Sequence, residues 1–559
     1  LSKYFEWHDE KSWYPHGRNV SLTSQVMLHA TAAITYEIFG GNSSLYDFTI
    51  LFPAIIGSLT VVVIFALVRL FAGTMAGLFA SLLFATSLAI IIRGSIGWFK
   101  SEPLGIFYGL LGLYLFLSAI KSENKKVAAL KIIFGAITLG FGMSSWGGIQ
   151  FFIIPIGLFI LTLPFLRQDH KFLLWSIPLF VSIFLLVCGL FERPGLNFVF
   201  GLGGMALIIP TIFLFCSIFI QKISKNKIRN NLFFLFSIMI IGSFLVIING
   251  EWDGTDSNFL PLPNFRYLNA LNPFMSTTDP LVSSVAEHSS PDTNFQFLFH
   301  STLMIFGGLG IWFLLSKKIS QTFVKNDMRI FVLITAMTGV YMSSSFIRLE
   351  VFASISLIIV SSIALSILTK NIFKTEFFGI KNYLLKISYV AIILFLFTLP
   401  LGYPENTNWL SYTSNPPTIF TGGTPFPPSN DWLETLEWIK LNTPEDAVIA
   451  SWWDYGYWIT TMSERNTIID NATLETITIE KMANMFMGTP EDGLTILNEM
   501  GADYVLVFIA AQKINANTED QLYILGGGGD ESKIPWFARI AGLPVEKYVI
   551  PNTVIGTKY

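Results

Sequence analysis

Between residues 48 and 401 the chain alternates long apolar runs with short polar turns, and from 402 to 559 the pattern becomes mixed. The runs fall at roughly 48–68, 72–92, 104–119, 131–147, 149–166, 172–190, 199–220, 232–249, 297–315, 330–345, 350–368 and 387–401. Most approach the length of about 20 residues that crosses a bilayer as a helix. The pattern predicts an outer segment 1–47, a helical membrane domain 48–401 of about twelve spans with a polar loop at 250–296, and a water-soluble domain 402–559. The stretch 22–39 is apolar too, but Gln25, His29, Tyr36 and Glu37 interrupt it, which suits a helix lying along the outer interface. After a Pro/Asn/Thr/Gly-rich linker at 402–430, the segments 431–441, 477–487, 492–500 and 530–541 read as helices, the first capped by Asn430. The segments 447–451 and 504–508 read as short buried strands, and the glycines 526–529 as a flexible run, so the last domain is mixed α/β. No internal repeat of solenoid period is visible.

Composition agrees with this division. With 52% hydrophobic and 13% charged residues and a mean hydropathy of +0.57, the 559-residue chain is a polytopic membrane protein with a modest soluble part. A net charge of −3 argues against a nucleic-acid partner. Cys188 and Cys216 both sit in apolar runs, which implies neither a disulfide framework nor a thiolate metal site. No cleavable signal peptide is visible, and a polar, aromatic opening without Met reads as a fragment or a processed chain.

Basic charge orients the spans. One set of loops holds Arg69; Lys121, Lys125, Lys126 and Lys131; Arg167 and Lys171; Lys222, Lys225, Lys227 and Arg229; Lys317, Lys318, Lys325 and Arg329; and Lys370, Lys374, Lys381 and Lys386. The other set carries only Arg93, Lys100, Arg193, Arg266 and Arg348. The basic set belongs in the cytoplasm, with both chain ends outside. The turn 93–103 with Glu102, the loop 250–296 with Glu287 and the domain 402–559 then share the extracytoplasmic side.

Three outward features carry candidate chemistry. Trp452-Trp453-Asp454-Tyr455-Gly456 combines apolar walls with one hydrogen-bond acceptor, a niche suited to a hydroxyl on a short carbon stub; a buried aromatic turn is the plainer account. Glu102 and Glu287 offer hard oxygen ligands, as for Mg²⁺ or Mn²⁺. Glu102, followed by Pro103, also suits a helix N-terminus. Arg348, alone at the end of a span, either meets an anion or snorkels to water.

In this order and topology the motifs resemble those of the oligosaccharyltransferase catalytic subunit, the enzyme of protein N-glycosylation. The WWDYG run is similar to its acceptor-reading motif. Trp13-Tyr14-Pro15-His16-Gly17-Arg18 looks like a stretch of its first outer loop, and Ser145-Trp146-Gly147-Gly148 like its Ser-Ala-Trp-Gly-Gly turn. Ser284-Val285-Ala286-Glu287 is similar to its mobile-loop motif, Asp470-Asn471 with Thr473 follows at the family's interval, and Asp530, Lys533 and Ile540 match its DxxK…I helix. The resemblance implies the C-type membrane glycosyltransferase fold and inverting transfer of a preassembled oligosaccharide from a polyprenyl, dolichyl-type phosphate or pyrophosphate to Asn in Asn-x-Ser/Thr. It assigns Glu102 and Glu287 to catalysis and to Mn²⁺ or Mg²⁺, and Arg348 to the donor phosphate. Trp452, Trp453, Asp454, Tyr455, Gly456, Lys533 and Ile540 form its acceptor pocket, with Lys533 pairing locally.

The chain departs from the family at two places. Lys100 stands where an acidic ligand is expected two positions before Glu102, and Phe537 replaces a Met. The first acidic ligand is expected upstream of residue 1; Asp9 and Glu10 are not assigned to it, and His16 is left open. A single chain of this size, rich in Lys and Ile, leans towards an archaeal plasma membrane. Asn19-Val20-Ser21, Asn42-Ser43-Ser44 and Asn471-Ala472-Thr473 are acceptor sequons of its own, so self-glycosylation is open to it. The rivals are a related glycosyltransferase acting on hydroxyls or lipids, which needs no WWDYG niche, and a transporter, which calls for ionisable groups at mid-membrane. The expectation is that the acidic groups and the double-tryptophan turn converge at the bilayer surface.

Overall fold

The computed structural model describes residues 6–248, 279–316, 324–374, 380–403, 408–414, 416–424, 427–516, 519–524 and 528–544. Arg266 with most of its loop, Lys317, Lys318, Gly526, Gly527 and parts of the linker 402–430 lie outside the described residues. The chain divides into two units, one of Gln25–Ser276 and Glu287–Ser414, the other of Leu1–Ser24, Thr277–Ala286 and Asn415–Tyr559.

The first unit is helical. Among the described residues, eight helices are long and apolar enough to cross a membrane: Leu45–Ala72, Ser101–Ile120, Lys125–Met143, Gly147–Leu166, His170–Gly189, Leu202–Ile223, Ile347–Lys374 and Ile380–Leu399. Helices also occupy the remaining apolar runs, at Thr74–Ala85, Lys227–Ile248, Thr293–Leu315 and Asn326–Ser343, and the stretch expected at the interface, at Val26–Phe39. The run 72–92 is divided into Thr74–Ala85 and the short turn Leu88–Ile91, with the Thr86 hydroxyl donating to Leu82 O at 3.0 Å at the break. Ile347–Lys374 is almost wholly buried and so forms the centre of the unit.

Charge marks the helix ends. Lys121 Nζ donates to Leu70 O and Arg167 Nη1 to Ile120 O, each at 2.6 Å, which satisfies terminal carbonyls and opposes the helix dipole. Lys131 Nζ donates to Ser118 Oγ at 2.8 Å. Glu102 lies in the first turn of Ser101–Ile120 and Arg167 at its last carbonyl, so the two charge sets sit roughly 30 Å apart along one helix.

The second unit is built on a three-stranded parallel sheet with Val448–Ser451 between Asn466–Thr467 and Tyr504–Leu506. The central strand is buried throughout. Helices Asp431–Asn442, Thr476–Met487, Pro490–Met500 and Ile534–Ile540 occur where expected within a few residues; the expected last helix starts as a 3-10 turn, Asp530–Lys533. Asn430 stands at the first helix's cap without a side-chain capping bond. An antiparallel ribbon, Ala511–Ala516 with Glu519–Ile524, was not expected.

The N-terminal residues belong here and not with the membrane domain. Tyr14 N donates to Thr467 O at 2.9 Å, Thr467 N to Lys11 O at 2.8 Å, and Arg18 pairs with Asp470 at 3.2 Å. Hydropathy cannot register such pairings between distant segments, which is why an outer segment 1–47 looked continuous. Burial lowers the Arg18 pKa, but Tyr457 and Asp470 outweigh it and hold the guanidinium above its ordinary value.

The WWDYG turn leaves the carboxyl end of the central strand. Gly456 is required there because a Cβ would meet Ile469 O at 2.5 Å and Asp470 Cα at 2.7 Å. Gly456→Ala is expected to cost about 1–3 kcal/mol through overpacking, read as a lower thermal midpoint of the detergent-solubilised protein; an unchanged midpoint would contradict the packing.

Candidate functional site

In the membrane unit, a cluster of charges forms at the helix ends opposite the basic loops. Lys100 occupies the N-cap of Ser101–Ile120 without a capping bond, and Glu102 in the first turn is 1% exposed. The Ser145–Gly148 turn packs behind them: a Cβ on Gly105 would meet Trp146 Cβ at 2.7 Å, so the turn's indole lies directly on the helix carrying Glu102. Trp146 stacks on Phe352 with ring centroids 5.3 Å apart.

Arg348 ties the two carboxylates together. Its Nη2 donates to Glu102 Oε1 at 2.9 Å and its Nε lies 3.7 Å from Glu287 Oε2. Arg93 Nη1 donates to Glu287 Oε1 at 2.7 Å. Glu102 Oε2 is buried without a partner. Lys100 Nζ rests 4.2 Å above the Trp98 ring. Three cations thus face two carboxylates. Burial raises the Glu287 pKa, but Arg93, by charge and hydrogen bond, then Arg348 and Lys100 outweigh it, so the carboxyl is held below its ordinary value of 4.5. Burial depresses the Lys100 pKa, and the attraction of Glu102 and Glu287 does not fully offset it.

A depressed carboxyl gives stability that is present above the unfolded pKa and is lost as pH falls through the folded one. The advantage of the wild type over Glu287→Gln in thermal midpoint is therefore expected to stay level down to the ordinary value of 4.5 and to disappear below it. An advantage already shrinking between pH 7 and 5 would contradict the ion pairing.

The soluble unit holds the second constellation. Lys533 Nζ donates to Asp454 Oδ2 at 2.7 Å, to Tyr455 Oη at 2.9 Å and to Asp530 Oδ1 at 3.3 Å, which uses all three ammonium hydrogens. Tyr455 Oη donates to Asp530 Oδ1 at 2.8 Å, and Phe508 N to Asp530 Oδ2 at 2.9 Å. Burial is the main cause of the raised pKa values of Tyr455 and Asp530; in Asp530 it exceeds the lowering by Lys533, the Phe508 N–H and Tyr455. Asp454 is half-buried, and among the described residues no donor reaches its Oδ1. The lattice of Lys533, Tyr455 and Asp530 fixes one Asp454 oxygen and leaves the other without a donor among the described residues.

The aromatic members divide. Trp452 is 2% exposed and lies in the core against Phe537, with ring centroids 4.4 Å apart, so it braces the turn from behind. Trp453 is partly exposed, and Ile540 packs at the edge of the same cluster.

Sequence reasoning overlooked three residues. Arg93 had counted only as a sparse loop cation, although a lone arginine closing an apolar run is itself a signal of a partner. His300 and Glu350 form a buried pair, His300 Nε2 to Glu350 Oε2 at 2.5 Å, with Ser354 Oγ 3.1 Å from His300 Nδ1. Glu350 opens its helix just after Arg348, so this pair braces the arginine turn and does not lie at mid-span.

Two family models match the chain: the N-terminal region of oligosaccharyl transferase STT3 over residues 2–251, and the STT3/PglB/AglB core domain over residues 444–487. The rice (Oryza sativa subsp. japonica) dolichyl-diphosphooligosaccharide–protein glycosyltransferase subunit STT3B is 26% identical over 600 residues, covering 100% of this chain and 79% of its own length. The Saccharomyces cerevisiae subunit STT3 is 25% identical, covering 96% and 74%. The Archaeoglobus fulgidus oligosaccharyltransferase AglB, solved with an inhibitory peptide and a dolichol-phosphate, superposes with a TM-score of 0.70 at 17% identity, over 97% of this chain and 65% of AglB. Another structure of the A. fulgidus enzyme, a complex with Zn and sulfate, gives a TM-score of 0.63 at 16% identity, over 89% and 61%. The chain thus spans just under two thirds of the length of these structures. It has the oligosaccharyltransferase fold, a helical membrane domain with a mixed α/β domain. The chain is thus similar, along most of its length, to the STT3/PglB oligosaccharyltransferases.

Proposed function

We propose that this protein is an integral membrane enzyme transferring a preassembled oligosaccharide from a dolichyl-type phosphate or pyrophosphate to Asn in Asn-x-Ser/Thr, with inversion, on the extracytoplasmic face. The membrane domain 48–401 crosses about twelve times, and 402–559 reads the acceptor. The observation that carries the reading is Arg348 held between Glu102 and Glu287, at the helix ends opposite the basic loops. A transporter would place such groups at mid-span. The dolichol-phosphate in the archaeal structure and the dolichyl donors named for the plant and yeast relatives support the same carrier. An archaeal source and single-subunit operation rest on composition and size alone.

A carboxamide nitrogen is a poor nucleophile because its lone pair is delocalised into the carbonyl. Glu102 Oε2, buried and without a partner, accepts one amide N–H, and Glu287 a second, which polarises the nitrogen. The nitrogen pair then forms the N–C1 bond as the C1–O bond breaks, with its electrons left on the carrier phosphate. The amide proton passes to Glu102 and from there to water. Arg348 is 35% exposed and has guanidinium N–H groups beyond those spent on the two carboxylates, so it meets the phosphate charge. Asp454 Oδ1 accepts the Ser/Thr hydroxyl, against Trp453, with Trp452 behind and Ile540 at the Thr methyl.

The resemblance also implies Mn²⁺ or Mg²⁺ on Glu102 and Glu287, and a relative was solved with Zn. The described residues do not by themselves complete a site for such an ion. Both carboxylates are engaged by guanidinium groups, a lysine replaces the expected third acid, and among the described residues no three His, Cys, Asp or Glu gather into a metal group. No step above runs through a metal.

The test is to incubate the full-length membrane protein with host lipid extract and labelled peptides. A glycan mass shift on an Asn-x-Thr peptide and none on its Gln-x-Thr counterpart is expected. Equal labelling of both, or of neither, would overturn the reading.

A further inference from the structure

Acceptor recognition, as proposed above, depends on where the WWDYG turn aims Asp454. Resting on that reading, we infer that Asn471, carried by the buried Arg18–Asp470 ion pair, is a positioning residue for the acceptor. It fixes the main chain of Asp454 and so aims the carboxylate that meets the Ser/Thr hydroxyl.

The Asn471 carboxamide lies across the turn. Its Nδ2 donates to Asp454 O at 2.8 Å, and its Oδ1 accepts from Tyr457 N at 3.3 Å. That N–H is one the short helix Gly456–Trp458 leaves without a partner of its own at its start. One side chain therefore joins the carbonyl of Asp454 to the amide of Tyr457 and fixes the peptides between them. The Asp454 side chain is held separately, by Lys533 on Oδ2 at 2.7 Å. With main chain and side chain both tied, Oδ1 has one direction. Asn471 is itself exposed, so what it contributes is these two bonds and not buried area.

The bonds of Asn471 rest on the residue before it. Asp470 is 1% exposed. Its Oδ1 accepts from Ala472 N at 2.9 Å and its main-chain oxygen from Thr473 N at 3.2 Å, which folds the loop back on itself. Thr473 stands at φ +52°, where a β-branched residue is rare, so the surrounding bonds hold the loop in a conformation it would not choose alone. Arg18 supplies the countercharge, with Nη1 3.2 Å from Asp470 Oδ2. The same guanidinium donates to Tyr457 Oη at 2.8 Å, to Thr23 Oγ1 at 2.8 Å and to Ser24 Oγ at 3.0 Å. A planar fork reaches all four partners where a single ammonium does not. Tyr457 is thus tied twice, by its N–H to Asn471 and by its hydroxyl to Arg18.

The experiment uses the full-length protein, the lipid-extract assay and a labelled Asn-x-Thr peptide, with thermal midpoints measured alongside. Asn471→Ala is expected to raise KM for the peptide about tenfold, with kcat at saturating peptide within about twofold of wild type. Asn471→Asp keeps an acceptor for Tyr457 N but sets a carboxylate against Asp454 O, and is expected to raise KM at least as much as about tenfold. Added to Asp454→Ala, Asn471→Ala is expected to change KM by less than about twofold, because its effect runs through the missing carboxylate. A merely structural role would multiply with Asp454→Ala instead. Arg18→Lys keeps the countercharge of Asp470 and loses the fork, and is expected to raise KM by about 3- to 10-fold. A wild-type KM in the Asn471 variants, a loss confined to kcat, or an effect that multiplies fully with Asp454→Ala overturns the inference and leaves the glycosyltransferase reading standing. A wild-type KM in Arg18→Lys overturns the part given to Arg18. Wild-type protein that labels no peptide overturns the proposed function and this inference with it. Should Asn471→Ala not fold, Asn471→Asp, alone and with Asp454→Ala, decides.

Discussion

Glu287→Gln is expected to lower kcat for glycopeptide formation by a factor of about 100 or more while the protein still folds. Glutamine keeps the shape of the side chain, and its carbonyl can still accept from Arg93, which lies 2.7 Å from the native carboxylate. What it removes is the negative charge that holds Arg348 in register and polarises the acceptor amide. That loss falls on the transition state more than on the bound peptide, so KM should change little. Single-turnover rates at saturating peptide, beside a thermal midpoint, give the measurement. A folded variant with the wild-type rate would remove Glu287 from the site.

Asp454→Ala acts on the other half of the chemistry. It removes the acceptor proposed for the Ser/Thr hydroxyl and releases one of the three bonds of Lys533, which keeps Asp530 and Tyr455. A niche built around a hydroxyl discriminates by leaving its polar groups unpaired when the hydroxyl is absent. The variant should raise KM for an Asn-x-Thr peptide by about 10- to 100-fold, in line with about 1.5–3 kcal/mol for a hydrogen bond to a charged group. Its preference for Asn-x-Thr over Asn-x-Ala should collapse as well. An unchanged KM and an intact preference would place the hydroxyl elsewhere.

Much of the architecture was legible from hydropathy, because membrane helices and short buried strands are local patterns. The strand Val448–Ser451 and the turn after it could be read from four apolar or small residues ending at a tryptophan pair. What could not be read were contacts between distant segments. Arg18 with Asp470, Tyr14 with Thr467, and Arg93 with Glu287 join positions that no periodicity connects. The ribbon Ala511–Ala516 with Glu519–Ile524 escaped notice because its charged residues break the apolar alternation. Among the candidate residues of the two units, sequence named Glu102, Glu287, Arg348, Asp454 and Lys533 but did not say which would pair. That Arg348 bridges both glutamates, and that Lys533 binds Asp454 as well as Asp530, are facts of geometry.

The account stands on the acceptor being an amide nitrogen. The most direct measurement is fragmentation of the glycopeptide formed from an Asn-x-Thr substrate, with nuclear magnetic resonance of its anomeric proton. The account predicts the sugar on the asparagine side-chain nitrogen, with its anomeric configuration opposite to that in the lipid donor. A sugar on the threonine oxygen or on a lipid, or one with retained configuration, would contradict it.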